Sequence, residues 1–72
     1  MEPQILIFKT NINTFEQMKR VDTILSHKNG IEKWNVDLED CDKVLRIETS
    51  LLQTENVIKF LKSHDIYCEA LE

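Results

Sequence analysis

The sequence predicts an α+β fold in which a four-stranded antiparallel sheet is covered on one face by two helices. Four short stretches rich in β-branched and aromatic residues are interleaved with two stretches whose apolar residues recur every three or four positions. The connections are short and marked by polar residues or by the single Gly30. The length, 72 residues of which 42% are hydrophobic, suffices for one thin core and one domain spanning 1–72.

Residues 4–10, Gln-Ile-Leu-Ile-Phe-Lys-Thr, read as a first strand, apolar at both parities and therefore central in the sheet. A helix over about 14–28 follows on Met18, Val21 and Leu25, with Ile24 widening the stripe. Asn29-Gly30 closes it, Gly30 supplying the left-handed conformation that helix ends favour. Residues 31–38 alternate Trp34, Val36 and Leu38 against Lys33, Asn35 and Asp37, the pattern of a half-buried strand. Glu39-Asp40-Cys41-Asp42 is a polar turn, and 43–49 return as a strand with Leu45 and Ile47 on one face. A second helix over about 54–64 rests on Val57, Ile58 and Leu61, with Phe60 at its margin. Residues 66–71 form a last strand, Ile66, Cys68 and Ala70 inward and Tyr67, Glu69 and Leu71 outward. Right-handed crossovers turn this βαββαβ order into the ferredoxin-like arrangement, with strand order 4-1-3-2 and both helices on one face.

Composition narrows the function. Nine Lys and Arg against thirteen Asp and Glu give a net charge of −4, which argues against a nucleic-acid or anionic-membrane surface. Cys41 and Cys68 are too few for a disulfide scaffold and read as reduced thiols in a cytoplasmic setting. The start, Met1-Glu2-Pro3-Gln4, carries neither a basic leader nor a long apolar run, so no signal peptide and no membrane insertion are expected. With one glycine there is no Gly-rich phosphate loop. His27 has no Ser, Asp or Cys partner at a catalytic spacing, and no nucleophile–base pair stands elsewhere, so the chain is not expected to be an enzyme.

Three stretches carry a resemblance. Lys9-Thr10-Asn11-Ile12-Asn13-Thr14 leads into a helix, Asn29-Gly30-Ile31-Glu32-Lys33-Trp34-Asn35-Val36-Asp37-Leu38 forms a turn and strand, and Glu55-Asn56-Val57-Ile58-Lys59-Phe60-Leu61-Lys62 forms a helix. In order and spacing the chain resembles heavy-metal-associated domains, the copper-chaperone-like modules. That family carries Met-x-Cys-x-x-Cys at the first loop–helix junction, where two thiolates hold a soft ion such as Cu(I) or Zn(II). The matching residues here are Ile12, Asn13, Thr14, Phe15, Glu16 and Gln17, so Thr14 and Gln17 replace both ligand cysteines. A hydroxyl and a carboxamide are not soft donors, and no metal is expected at this junction. The spacing Thr14-x-x-Gln17 is instead that of a capping box, with Asn13-x-x-Glu16 as the alternative register.

Other residues supply competing sites. The expected fold gathers the 11–14 loop and the 39–42 and 63–66 turns at one end, where Cys41, His64 and Asp65 are copper or zinc ligand types. The two turns flank the first strand on opposite sides, which opposes a shared site. The alternative to a metal-free module is therefore a copper or zinc carrier using Cys41, His64 or Cys68, although Cys68 reads first as a buried thiol packing like alanine. Asp37, Glu39, Asp40 and Asp42 lack the central glycine and distal glutamate of a calcium loop and read as a solvated turn. On the face away from the helices, Ile5, Ile7, Val44 and Tyr67 are expected to form one apolar patch, with Phe15 as a second contact. Tyr67 stands alone among acidic residues there, so the face does not read as an RNA platform. The expectation is a degenerate heavy-metal-associated-like module acting through protein contacts, including weak homodimerisation. The resemblance implies a partner such as a metal transporter or chaperone.

Overall fold

In a computed structural model describing residues 2–71, the chain runs β1 (Gln4–Thr10), α1 (Phe15–Ser26), β2 (Ile31–Asp37), β3 (Val44–Thr49), α2 (Thr54–Ser63) and β4 (Cys68–Ala70). The strands make one antiparallel sheet in the order β2-β3-β1-β4. Counted from the other edge, the succession is β4-β1-β3-β2. The architecture is α+β and compatible with a ferredoxin-like fold. No helix among the described residues is long and apolar enough to cross a membrane.

Alternation along the strands decides which face is covered. Leu6 pairs with Ile47 and Phe8 with Leu45 across β1 and β3. Trp34 and Val36 of β2 stand opposite the same Ile47 and Leu45. This face meets Val21 and Leu25 of α1 and Val57 and Leu61 of α2, and Ile12, Ile66 and Cys68 complete one cluster. Phe8, Leu45, Ile47 and Leu61 have no exposed surface. Each such side chain contributes about 1.5–3 kcal/mol over its exposed state.

Several boundaries differ from the sequence expectation. α1 ends at Ser26 with His27 as its C-cap, and Gly30 lies beyond it in the turn that starts β2. Gly30 does take a positive φ of 99°, so the turn geometry favours glycine, and a Cβ there, 3.1 Å from Leu52 Cγ, would press on that side chain. β2 stops at Asp37 because the Asp37 carboxylate accepts from the Glu39 amide, a local turn that leaves Leu38 exposed. β4 is only three residues long, and Ala70, expected inward, is exposed at the sheet's outer edge.

Val44 requires a correction. It lies opposite Asp37 and shares the open face, as expected, but only 6% of it is exposed. β3 is an interior strand, and Val44 sits one step beyond the Phe8–Leu45 pair, between Asp37 on one side and Lys9 on the other. Neighbours on both strands remove it from solvent, so it is no part of an exposed patch.

Two threonines with the parity of core residues tie the ends together. Thr49 is fully buried; its hydroxyl donates to the Gly30 carbonyl and accepts from the Leu51 and Leu52 amides. It locks the turn before β2 to the connection that leads into α2. Thr10, at the other end, donates to the Lys43 carbonyl at 2.6 Å and accepts from the Ile12 amide. Sequence reasoning passed over both. A threonine at an inward position is the available signal, because a buried hydroxyl needs partners.

Candidate functional site

The junction between β1 and α1 is built on a reciprocal cap. Thr14 is the N-cap, with extended backbone, and its hydroxyl accepts from the Gln17 amide at 3.1 Å. The Gln17 carboxamide oxygen accepts in return from the amides of Thr14 at 3.2 Å and Asn13 at 2.8 Å. Of the two registers open to the sequence, the structure uses Thr14 and Gln17. Ile12 turns into the core, which anchors the loop from below. The Thr14 and Gln17 side chains are thus both committed to backbone groups at the helix end, which helix geometry leaves without partners. A niche of about 50 Å³ lies beside the cap, lined by Ile12, Gln17, Arg20 and Asp65. It is far smaller than the roughly 300 Å³ at which ligand pockets begin.

The remaining metal-ligand candidates stand apart from one another. Among the described residues, the one grouping of three ligand-type side chains is Asp40, Cys41 and Asp42, within 4.8 Å of one another in the β2–β3 turn. Asp40 is already used by the Asp42 amide at 2.8 Å, and Asp42 lies 3.8 Å from the Lys9 ammonium. His64 is not in that group. It is the C-cap of α2, its ring meets Phe60 edge-on at 5.0 Å, and its carbonyl accepts from Arg20 at 2.6 Å. Asp65, next to it, takes a positive φ of 61° in the turn to β4 and remains exposed. His27 Nδ1 lies 2.8 Å from the Thr23 carbonyl of its own helix. Cys68 is buried in the core, and that burial pushes its thiol above the ordinary cysteine range despite the opposing charge of Lys62. Cys41 is an exposed free thiol.

The open face of the sheet is the larger feature. Ile5 is 58% exposed and Ile7 38%; Tyr67, 43% exposed, precedes β4 and is separated from them by the Lys9–Glu69 pair, so the expected single patch does not form. The register sets Ile7 opposite Arg46 and Ile5 opposite Glu48, and Glu48 in turn opposite Lys33 of β2. The face is therefore apolar at Ile5 and Ile7 of β1, charged at Lys9, and mixed in charge on β2 and β3. A broad depression lies between Ile5, Lys33, Asn35, Arg46 and Glu48. The Tyr67 phenol holds its proton above the ordinary tyrosine range, with the Glu69 carboxylate as the first cause, followed by lost solvent and like charge. Phe15 projects from the first turn of α1, with the Lys19 ammonium 5.5 Å above its ring. Leu51, 74% exposed before α2, is an apolar surface residue that no periodicity marked.

No protein-family model matches this chain, and no curated protein matches it.

Proposed function

We propose that the chain is a protein-binding module with the open sheet face as its contact surface, on a heavy-metal-associated-like scaffold without the metal pair. The observation that carries this reading is the exposure of Ile5 and Ile7 on the open face, with Ile5 at the rim of a depression holding both signs of charge. Exposed apolar groups rimmed by polar ones are the composition of a contact surface rather than of a substrate pocket. The scaffold reading draws support from the order of elements and from the capping box at the positions where the family has cysteines. A partner from metal handling, a transporter or a chaperone, follows from that resemblance. The alternative, a metal carrier with unorthodox ligands, draws on the Asp40, Cys41 and Asp42 group alone.

Three experiments address the metal and surface parts of this reading. Titration of the reduced protein with Cu(I) against a chromophoric chelator, and with Zn(II) by calorimetry, is expected to show no stoichiometric binding. Binding that Cys41→Ser abolishes would establish the carrier instead. Thr14→Cys/Gln17→Cys should gain tight Cu(I) binding, and failure to do so in a folded variant would remove the scaffold reading. For the surface, proteins captured by the wild type should be lost with Ile7→Glu and retained with Lys59→Glu on exposed α2. Equal loss with both variants would reject the open face as the contact.

A further inference from the structure

We propose that β2 pairs with β2 of a second copy, in antiparallel register about a two-fold axis through Asn35, joining two sheets into one of eight strands. This does not rest on the open face being a contact surface: it uses the backbone edge of β2, although Lys33 and Asn35 also line the depression on that face.

β2 and β4 are the two edges of the sheet. β4 offers three residues, while β2 offers seven. A long uncovered edge presents a row of backbone donors and acceptors that can pair with another strand. The register irregularity between Ile31 and Lys33 takes Glu32 out of the ladder, and its carboxylate accepts from the Ser50 hydroxyl at 3.0 Å. What remains regular is the stretch from Lys33 to Asp37, and Asn35 is its centre.

Side-chain chemistry selects the same register. In a continuous sheet with helices on one side, directly opposed residues must share a face, so the two-fold axis passes through a residue. With the axis at Asn35, Lys33 of each copy opposes Asp37 of the other, giving two ion pairs on the open face. On the covered face Trp34 opposes Val36 twice. Both residues pack against the margin of the core and are only half-buried, so the neighbouring copy would complete their burial. Shifting the axis to Trp34 sets Lys33 against Asn35, and shifting it to Val36 sets Asn35 against Asp37 and leaves Lys33 facing only Glu39 in the turn beyond β2; each loses the charge pairing within the regular stretch.

The pairing also limits itself. Two copies joined through β2 consume both long edges and leave only two three-residue β4 strands outside, so the contact closes as a dimer and does not propagate. A five-residue edge contact falls below the roughly 1,200 Å² of stable interfaces, so the dimer is weak and concentration-dependent.

Sedimentation velocity over a rising concentration series tests this directly. The wild type should move from monomer toward dimer. Asp37→Lys opposes Lys33 with a lysine, and Lys33→Asp opposes Asp37 with an aspartate; each variant alone should stay monomeric at the highest concentration. An equimolar mixture of the two should form a heterodimer, because each then meets the opposite charge. Lys33→Asp/Asp37→Lys should dimerise by itself. Circular dichroism and thermal midpoints confirm that each variant is folded. A wild type that remains monomeric throughout overturns the proposal. So does a mixture no more associated than its parts. Self-association that Asp37→Lys leaves intact and Ile7→Glu abolishes would move the contact to the open face and likewise overturn it.

Discussion

Along β1, Leu6 and Phe8 disappear into the core while their neighbours Ile5 and Ile7 stand on the other side of the same strand, exposed. The four side chains are similarly apolar; what differs is whether two helices lie over them. The contrast extends across the sheet. The covered face holds Leu45 and Ile47 and keeps a hydroxyl where, as at Thr49, it is tied into hydrogen bonds. The open face holds Lys33, Arg46 and Glu48 and needs no such accounting. Burial here comes from the layer above the strand, and hydropathy alone does not reveal it.

The most direct way to break the comparison is to truncate one side chain on each face. Phe8→Ala should cost about 3–5 kcal/mol in denaturant unfolding, since it empties a fully buried site between β3 and both helices. That is a large part of the roughly 5–15 kcal/mol that a whole domain possesses. Ile7→Ala should change stability by less than about 1 kcal/mol. Equal losses would mean that both faces are covered in solution.

Thr49→Val keeps the shape and removes the hydroxyl, leaving the Gly30 carbonyl and the Leu51 and Leu52 amides short of a partner. The expected loss is about 1–3 kcal/mol, measured by thermal or urea unfolding. Thr49→Ser should recover most of it. A neutral Thr49→Val would show that the covered face is less exacting about polar groups than its hydrogen bonds indicate.

Thr14→Ala at the end of the covered layer should cost about 0.5–2 kcal/mol. Gln17→Ala should cost a similar amount, because Gln17 serves two amides. The double variant should fall short of the sum, since the two side chains form one reciprocal unit. Additive losses would show instead that Thr14 and Gln17 act independently.

Most of the fold was legible because its signals are local and periodic: β1 from its β-branched run, both helices from their three-and-four spacing, the cap from Thr14 and Gln17 three apart. Misreadings came where a neighbour distant in sequence decides the environment. Val44 looked outward and is, yet the strands on each side bury it. Trp34 looked inward and is, yet on an edge strand it stays half-covered. Cys41 and His64 are ligand types that the expected topology placed at one end, and the chain engages each locally, His64 on Phe60 and Cys41 beside Asp40 and Asp42. Spacing in sequence carries no information about such pairings across the sheet. The edge register of β2 could be read as a charge pattern only once its regular stretch was bounded by the irregularity at Glu32.

The finest contrast between the faces is electrostatic. Cys68 on the covered side and Tyr67, its exposed neighbour, both ionise less readily than usual, for different reasons. Burial raises the Cys68 thiol from its ordinary 9.0, whereas the Glu69 carboxylate is the first cause of the rise in Tyr67 from 10.0. In both cases the folded chain holds the proton more tightly than the unfolded chain. Stability is therefore flat below the unfolded value and falls as pH rises through the window up to the folded one. The thermal midpoint should hold steady from neutral pH, begin to fall above 9.0 through Cys68, and fall further above 10.0 through Tyr67. Cys68→Ala should remove the first decline and keep the second. Glu69→Gln should weaken the second and keep the first. Alkylation adds an independent reading, with Cys41 modified quickly in the folded protein and Cys68 only as it opens. If Cys68 reacted as fast as Cys41, the covered face would be open to solvent on that timescale, and the division between the two faces would not hold at β4.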